Sequence, residues 1–168
     1  MRTLRIYGLV QGVGFRPYVA ALAEKLHILG TVQNAGGIVI ARIEGQTEAM
    51  EEFSHRLHLL DGKNDDLPGA RVDYIETEEA DSDGSYRLDS GSADPAEDGF
   101  RIIKSDDHSE EIRFLPPDIA TCDKCASELL DTKNRRYRYP FISCFSCGPR
   151  YTIMKKIPYD REHTTMAD

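Results

Sequence analysis

Four cysteines, a glycine turn that ends in an arginine, and an asparagine in a glycine-flanked strand are the residues of this chain best placed to do chemistry. Cys122-Asp123-Lys124-Cys125 and Cys144-Phe145-Ser146-Cys147 form two C-x-x-C turns separated by 18 residues. Each turn can aim two thiolates at one ion, and the pair closes a tetrahedral shell with no open coordination position. That closure suits a structural Zn2+ held by Cys122, Cys125, Cys144 and Cys147 rather than a catalytic metal. Two disulfides or an exposed redox pair are the competing uses. The lack of further cysteines, and an N-terminus that runs straight into a strand without a signal peptide, weigh against both. A module this small buries too little apolar surface to fold unaided, so the ion is expected to supply most of its folding free energy.

The second centre is Val10-Gln11-Gly12-Val13-Gly14-Phe15-Arg16. Glycines at 12 and 14 let the backbone turn sharply and present consecutive N–H groups as a concave nest for an anion, just ahead of a helix N-terminus. Arg16 adds a planar, permanently charged fork that suits phosphate oxygens. The expected phosphate-binding set is Gln11, Gly12, Val13, Gly14, Phe15 and Arg16. Asn34, at the end of a later strand, could hold a water in line with a bound phosphorus. Taken separately, Arg16 reads equally well as a surface ion-pair partner and Asn34 as a turn residue. His55 and His58 face neighbouring helical turns without a second ligand type and read as surface or packing residues.

Periodicity indicates how these residues are positioned. Leu4, Ile6 and Gly8 alternate with Arg5, Tyr7 and Leu9 as in a half-buried strand. Pro17 marks the start of a helix whose apolar positions Val19, Leu22, Leu26 and Leu29 run until Gly30 stops it. Residues 31–34 and 38–44 read as strands around Ala35-Gly36-Gly37. Thr47 is the expected cap of a second helix, with Glu48 and Glu51 in its first turn and Met50, Phe53, Leu57 and Leu60 on its buried face. Residues 71–77 and 99–104 complete a βαββαβ order with an extra strand, an α+β class. The stretch 76–111 holds thirteen acids against three bases and reads as solvated loop and linker. Leu115-Pro116-Pro117-Asp118 reads as a stiff hinge.

Charge divides the chain at about the same place. Residues 1–121 carry 12 Lys and Arg against 23 Asp and Glu, whereas residues 122–168 carry 9 against 6. The acidic first part excludes nucleic acid as its partner. Arg135-Arg136-Tyr137-Arg138-Tyr139-Pro140 interleaves cations with aromatics, but it is too short to reverse that conclusion, and tyrosines placed over the cysteine knuckles or against another domain are the expected use. No apolar run approaches a membrane span, so no membrane partner is expected and the cytoplasm is the expected location. The expected division is 1–105, a linker over 106–121, and a zinc segment over 122–168.

The string Gly8-Leu9-Val10-Gln11-Gly12-Val13-Gly14-Phe15-Arg16, followed by Gly30-Thr31-Val32-Gln33-Asn34 and Gly37-Ile38-Val39, resembles the acylphosphatases from residue 1 to about 105. This resemblance implies a ferredoxin-like sandwich, here followed by the small four-cysteine zinc module. It also implies hydrolysis of a carboxyl–phosphate anhydride, with Arg16 and Asn34 as the catalytic pair. Gly36 stands where many members carry aspartate, a departure in the turn and not in the chemistry. The cysteine segment, with Arg135-Arg136-Tyr137-Arg138-Tyr139-Pro140-Phe141 between the knuckles and Gly148-Pro149-Arg150-Tyr151-Thr152-Ile153 after them, resembles the carbamoyltransferases of [NiFe]-hydrogenase maturation. That likeness implies carbamoyl phosphate as the acyl phosphate. It further implies a maturation partner that receives the carbamoyl group on a C-terminal cysteine. Only one of the family's two usual knuckle pairs is present, so a fragment is expected. The alternatives are a non-catalytic carbamoyl-phosphate-binding or docking module and a free-standing acylphosphatase with a zinc appendage.

Overall fold

The computed structural model describes residues 1–79, 99–105, 115, 117 and 119–167. Most of the acidic stretch, most of the expected 106–121 linker and part of the 115–118 hinge lie outside the described residues. In chain order the elements are β1 (Arg2–Leu9), α1 (Phe15–Lys25), β2 (Leu29–Ala35), β3 (Ile38–Glu44), α2 (Thr47–His58), β4 (Arg71–Glu79), β5 (Phe100–Ile102) and α3 (Asp123–Leu130), followed by a 3-10 turn at Arg161–His163.

Among the described residues five strands form one sheet in the order β4-β1-β3-β2-β5. Every pairing is antiparallel except β2 with β5, which is parallel. Register follows the apolar alternation. Leu4 lies opposite Ala41, and Ile6 lies between Val39 and Ile75, so directly paired residues bring their side chains to one face. All of these are buried, and α1 and α2 cover them with Phe15, Val19, Leu22, Met50, Phe53 and Leu57. Each such aliphatic or aromatic side chain contributes about 1.5–3 kcal/mol when fully buried. The other face carries polar pairs such as Arg5–Glu78 at 2.9 Å, together with the Tyr7–Tyr74 ring pair.

Three local expectations change. The first helix ends at Lys25, not at Gly30. His27 takes a positive φ of 54°, while its N–H donates to Glu24 O and that of Ile28 to Ala23 O. This is a Schellman stop with histidine in the position glycine usually fills. Leu29 and Gly30 therefore belong to β2, where a Cβ on Gly30 would stand 1.9 Å from Arg42 O. Here the glycine serves close strand approach rather than helix termination. Thr47 is the first residue of α2, not its cap; Gln46 occupies the cap position, and no side chain bonds the free N–H groups there. The last strand contracts to three residues, with Phe100 tilted against Phe53 at 6.5 Å and Ile102 exposed.

The C-terminal part has little regular structure. Cys122 caps α3, and Cys125 sits in its first turn. A cluster of Cys125, Ile142 and Cys147, joined by half-buried Ile119 and Leu129, is its buried centre.

Candidate functional site

The turn between β1 and α1 adopts the conformation its glycines permit. Gly12 and Gly14 have φ of 71° and 78°, and Gly14 is the left-handed cap from which α1 starts. Among the described residues, the N–H groups of Gly12, Val13 and Gly14 donate to no backbone acceptor. Those of Phe15 and Arg16 lie in the first helical turn, where no intrahelical partner exists. The result is a run of available donors at the positive end of a helix dipole.

Asn34 enters this site from β2. Its register opposite Val39 places it on the helix-covered face, two residues beyond buried Val32, which explains why a polar side chain there is only 1% exposed. Its Nδ2 donates to Asp160 at 3.2 Å, whereas its Oδ1 is buried without a hydrogen-bond partner among the described residues. An unpaired buried amide oxygen costs about 1–3 kcal/mol, which a fold retains where that oxygen has a further use.

Gln11 ties these pieces together. Its Nε2 donates to the carbonyls of Gly36 and Ile38 at 3.3 and 3.0 Å, bracing the turn against the hairpin that carries Asn34. Its Oε1 accepts the Tyr159 N–H at 2.8 Å. All three side-chain bonds are made inside the protein, so in this arrangement Gln11 contributes geometry to the site.

The residues predicted to bind phosphate and to act on it are thus brought together, and three others join them. Arg16 Nη2 donates to Asp160 Oδ1 at 2.6 Å, and Nη1 to Ser105 Oγ at 3.2 Å; Ser105 in turn donates to Asp160 Oδ2. The Tyr159 ring covers the turn so closely that a Cβ on Gly12 would stand 3.0 Å from it. Sequence reasoning missed Ser105, Tyr159 and Asp160. Asp160 lies 126 residues from Asn34 and 144 from Arg16, and no spacing pattern links them. A cavity of about 560 Å3 opens between the glycine turn and the cysteine segment, lined by Arg16 and Asn34 on one side and Tyr139, Phe145, Tyr159 and Asp160 on the other. Tyr139, expected over the cysteine knuckles or against another domain, is among the residues that line this cavity.

The four cysteine sulfurs also converge, all within 4.8 Å of one another. Cys122–Cys144, Cys144–Cys147 and Cys147–Cys125 are 3.5, 3.7 and 3.8 Å apart, too far for disulfides. A tetrahedron with metal–sulfur arms of about 2.3 Å has edges of about 3.8 Å, so the cluster fits one ion. The thiols are unequal. Burial and the neighbouring sulfurs push Cys125 up to about 12, and Cys122 is also raised. Cys144 is opposed by burial yet comes down to about 6, because the N–H groups of Ser146 and Cys147 and the adjacent thiols bond its thiolate.

With this geometry in view, comparison with known proteins places the chain. The acylphosphatase family pattern matches residues 2–91, and the chain belongs to that family. A relative in Paenarthrobacter aurescens, an acylphosphatase, is 35% identical over 102 residues, covering 60% of this chain and 90% of its own. The HypF finger pattern matches residues 121–154. The chain as a whole is similar to the N-terminal part of carbamoyltransferases called HypF. The probable carbamoyltransferase HypF of Methanocaldococcus jannaschii is 43% identical over 161 residues, which are 95% of this chain and 19% of that protein. A crystal structure of full-length HypF in its phosphate- and nucleotide-bound form superposes with a TM-score of 0.61 at 35% identity, covering 99% of this chain and 20% of that one. The chain therefore spans about a fifth of the length of the HypF relatives it matches. Among the described residues no helix is long and apolar enough to cross a membrane.

Proposed function

We propose that the turn from Gln11 to Arg16 binds the phosphoryl group of an acyl phosphate, that the substrate is carbamoyl phosphate, and that Asn34 orients the attacking water. The backbone N–H groups and the Arg16 guanidinium neutralise charge that gathers on the phosphoryl oxygens, and the Asn34 amide oxygen accepts a hydrogen from water. Water oxygen bonds to phosphorus as the bond from phosphorus to the acyl oxygen breaks. Carbamate leaves and inorganic phosphate forms, with the proton of the water taken up by a phosphoryl oxygen. The observation that carries this reading is Asn34 Oδ1, a buried acceptor without a partner among the described residues, beside a guanidinium and a run of available donors.

The ion at Cys122, Cys125, Cys144 and Cys147 is read as Zn2+, since an all-thiolate closed tetrahedron suits zinc and leaves no position for substrate. When bound it supplies cross-linking and not catalysis. The division at 1–105, 106–121 and 122–168 belongs to the same reading. So do work in the cytoplasm and, in a longer protein, delivery of the carbamoyl group to the C-terminal cysteine of a hydrogenase-maturation partner.

Phosphate release from carbamoyl phosphate, set beside release from acetyl phosphate on zinc-loaded protein, tests the proposal. Arg16→Ala and Asn34→Ala should each lower release by about 10²–10³. Undiminished release in either variant removes that residue from the assignment. The engagement of Arg16 by Asp160 favours one second reading, a module that binds the substrate without turning it over. Saturable binding with no phosphate release would select it.

A further inference from the structure

The Arg16 guanidinium assigned above to a phosphoryl group, and the Nδ2 of the Asn34 whose oxygen is assigned to the water, are engaged by a carboxylate of the same chain. Asp160 Oδ1 accepts from Arg16 at 2.6 Å and from Asn34 at 3.2 Å, and Oδ2 accepts from Ser105, whose Oγ also accepts from Arg16 at 3.2 Å. The ion pair is mostly shielded, with side-chain exposures of 27% for Arg16 and 17% for Asp160. The carboxylate engages only part of the donor set. None of its hydrogen bonds among the described residues comes from the N–H groups of Gly12, Val13 or Gly14. Tyr159, bonded to Gln11 at 2.8 Å, keeps the backbone of Asp160 beside the site. Competition from Asp160 is therefore intramolecular and acts at high effective concentration.

We propose that Asp160 is an internal competitor for the anion site and thereby determines which anions the site admits. The proposal rests on the reading of Arg16 and the glycine turn as a phosphoryl site. A planar carboxylate ligand with one negative charge offers Arg16 and Asn34 nothing that Asp160 does not already provide. A tetrahedral phosphoryl group carries more charge and has a third oxygen that reaches the turn's N–H groups, which Asp160 leaves alone. Two anions in contact with one guanidinium repel, so phosphoryl entry turns the Asp160 side chain away from Arg16. The site then favours phosphoryl ligands over simple carboxylates by exclusion as well as by attraction.

Calorimetric titration of inorganic phosphate into the zinc-loaded full chain tests this, using the parent, Asp160→Asn, Asp160→Ser, Arg16→Ala and the Arg16→Ala/Asp160→Asn double variant. Both Asp160 variants should bind phosphate roughly tenfold more tightly, the scale of one charge-assisted hydrogen bond removed from competition. Excess acetate should weaken phosphate binding by Asp160→Asn and leave the parent's affinity unchanged. Unchanged or weaker phosphate binding in both Asp160 variants, or equal sensitivity of parent and variant to acetate, overturns the competitor. Arg16→Ala should lose phosphate binding in either background. If Arg16→Ala instead binds as the parent does, the phosphoryl site itself is wrong, an outcome separate from failure of the Asp160 proposal.

Discussion

The sheet domain and the cysteine segment hold their shapes by different means. Among the described residues, twenty buried apolar residues from four strands, two helices and their connections form one continuous core, with half-buried Phe100 of β5 packed against it. In the cysteine segment the buried cluster is Cys125, Ile142 and Cys147, two of the three being proposed metal ligands. The first region can fold by burying apolar surface, whereas the second has too little to bury and relies on four sulfurs gathering round an ion. The proposed anion site lies where the two meet, with its backbone donors from the sheet domain and its covering residues from the cysteine segment.

The largest effect should come from removing the metal. Structural zinc in finger peptides is worth about 10–16 kcal/mol at neutral pH. A chelator, or Cys147→Ser, should therefore collapse the dispersed amide resonances of residues 119–167 and leave those of β1 to β4 in place. Loss of both sets together would break the comparison. Next in size, Phe53→Ala should destabilise the sheet domain by about 3–5 kcal/mol through the cavity it leaves. Denaturant unfolding monitored on the sheet should show this loss, while metal affinity, read by chelator competition, stays as it was.

A smaller, graded effect is expected from pH. In the metal-free state Cys125, pushed up to about 12, and Cys122, also raised above 9.0, are protonated at pH 7, whereas Cys144, at about 6, is already ionised. Metal capture at that pH must expel at least the two protons on Cys122 and Cys125. Affinity should accordingly rise about tenfold per expelled proton for each pH unit gained, and fall more steeply below about pH 6 as Cys144 also becomes protonated. Chelator competition from pH 6.5 to 8 checks the slope; a flat profile would mean that the thiols are already ionised without the metal.

Much of this arrangement was legible in the residues. Period-two alternation located β1, the glycine pair located the hairpin between β2 and β3, and the C-x-x-C spacing identified the sulfur cluster. These signals are short in range, the longest reaching only from Cys122 to Cys147. What was not legible depended on contacts between distant segments or on conformations that residue type does not announce. His27 accepts a left-handed conformation that is usually left to glycine, so the end of α1 was misplaced. The parallel addition of β5 beside β2 carries no local mark. Asp160 and Ser105 reach Arg16 only through tertiary docking, and an aspartate beside a tyrosine near the chain's end gives no hint of that destination.

The bond from Tyr159 to Gln11 spans 148 positions. On a ribosome, residues 1–105 emerge and can collapse well before residue 159 is made, since N-terminal domains generally fold first. For that interval the nascent chain would present an uncovered glycine turn with Arg16 free of its aspartate. The covering arrives only with Tyr159 and Asp160 and, if the metal is what shapes the cysteine segment, only after an ion has been captured. Biosynthesis would thus pass through a form in which the proposed anion site does not yet have Asp160 to compete for Arg16.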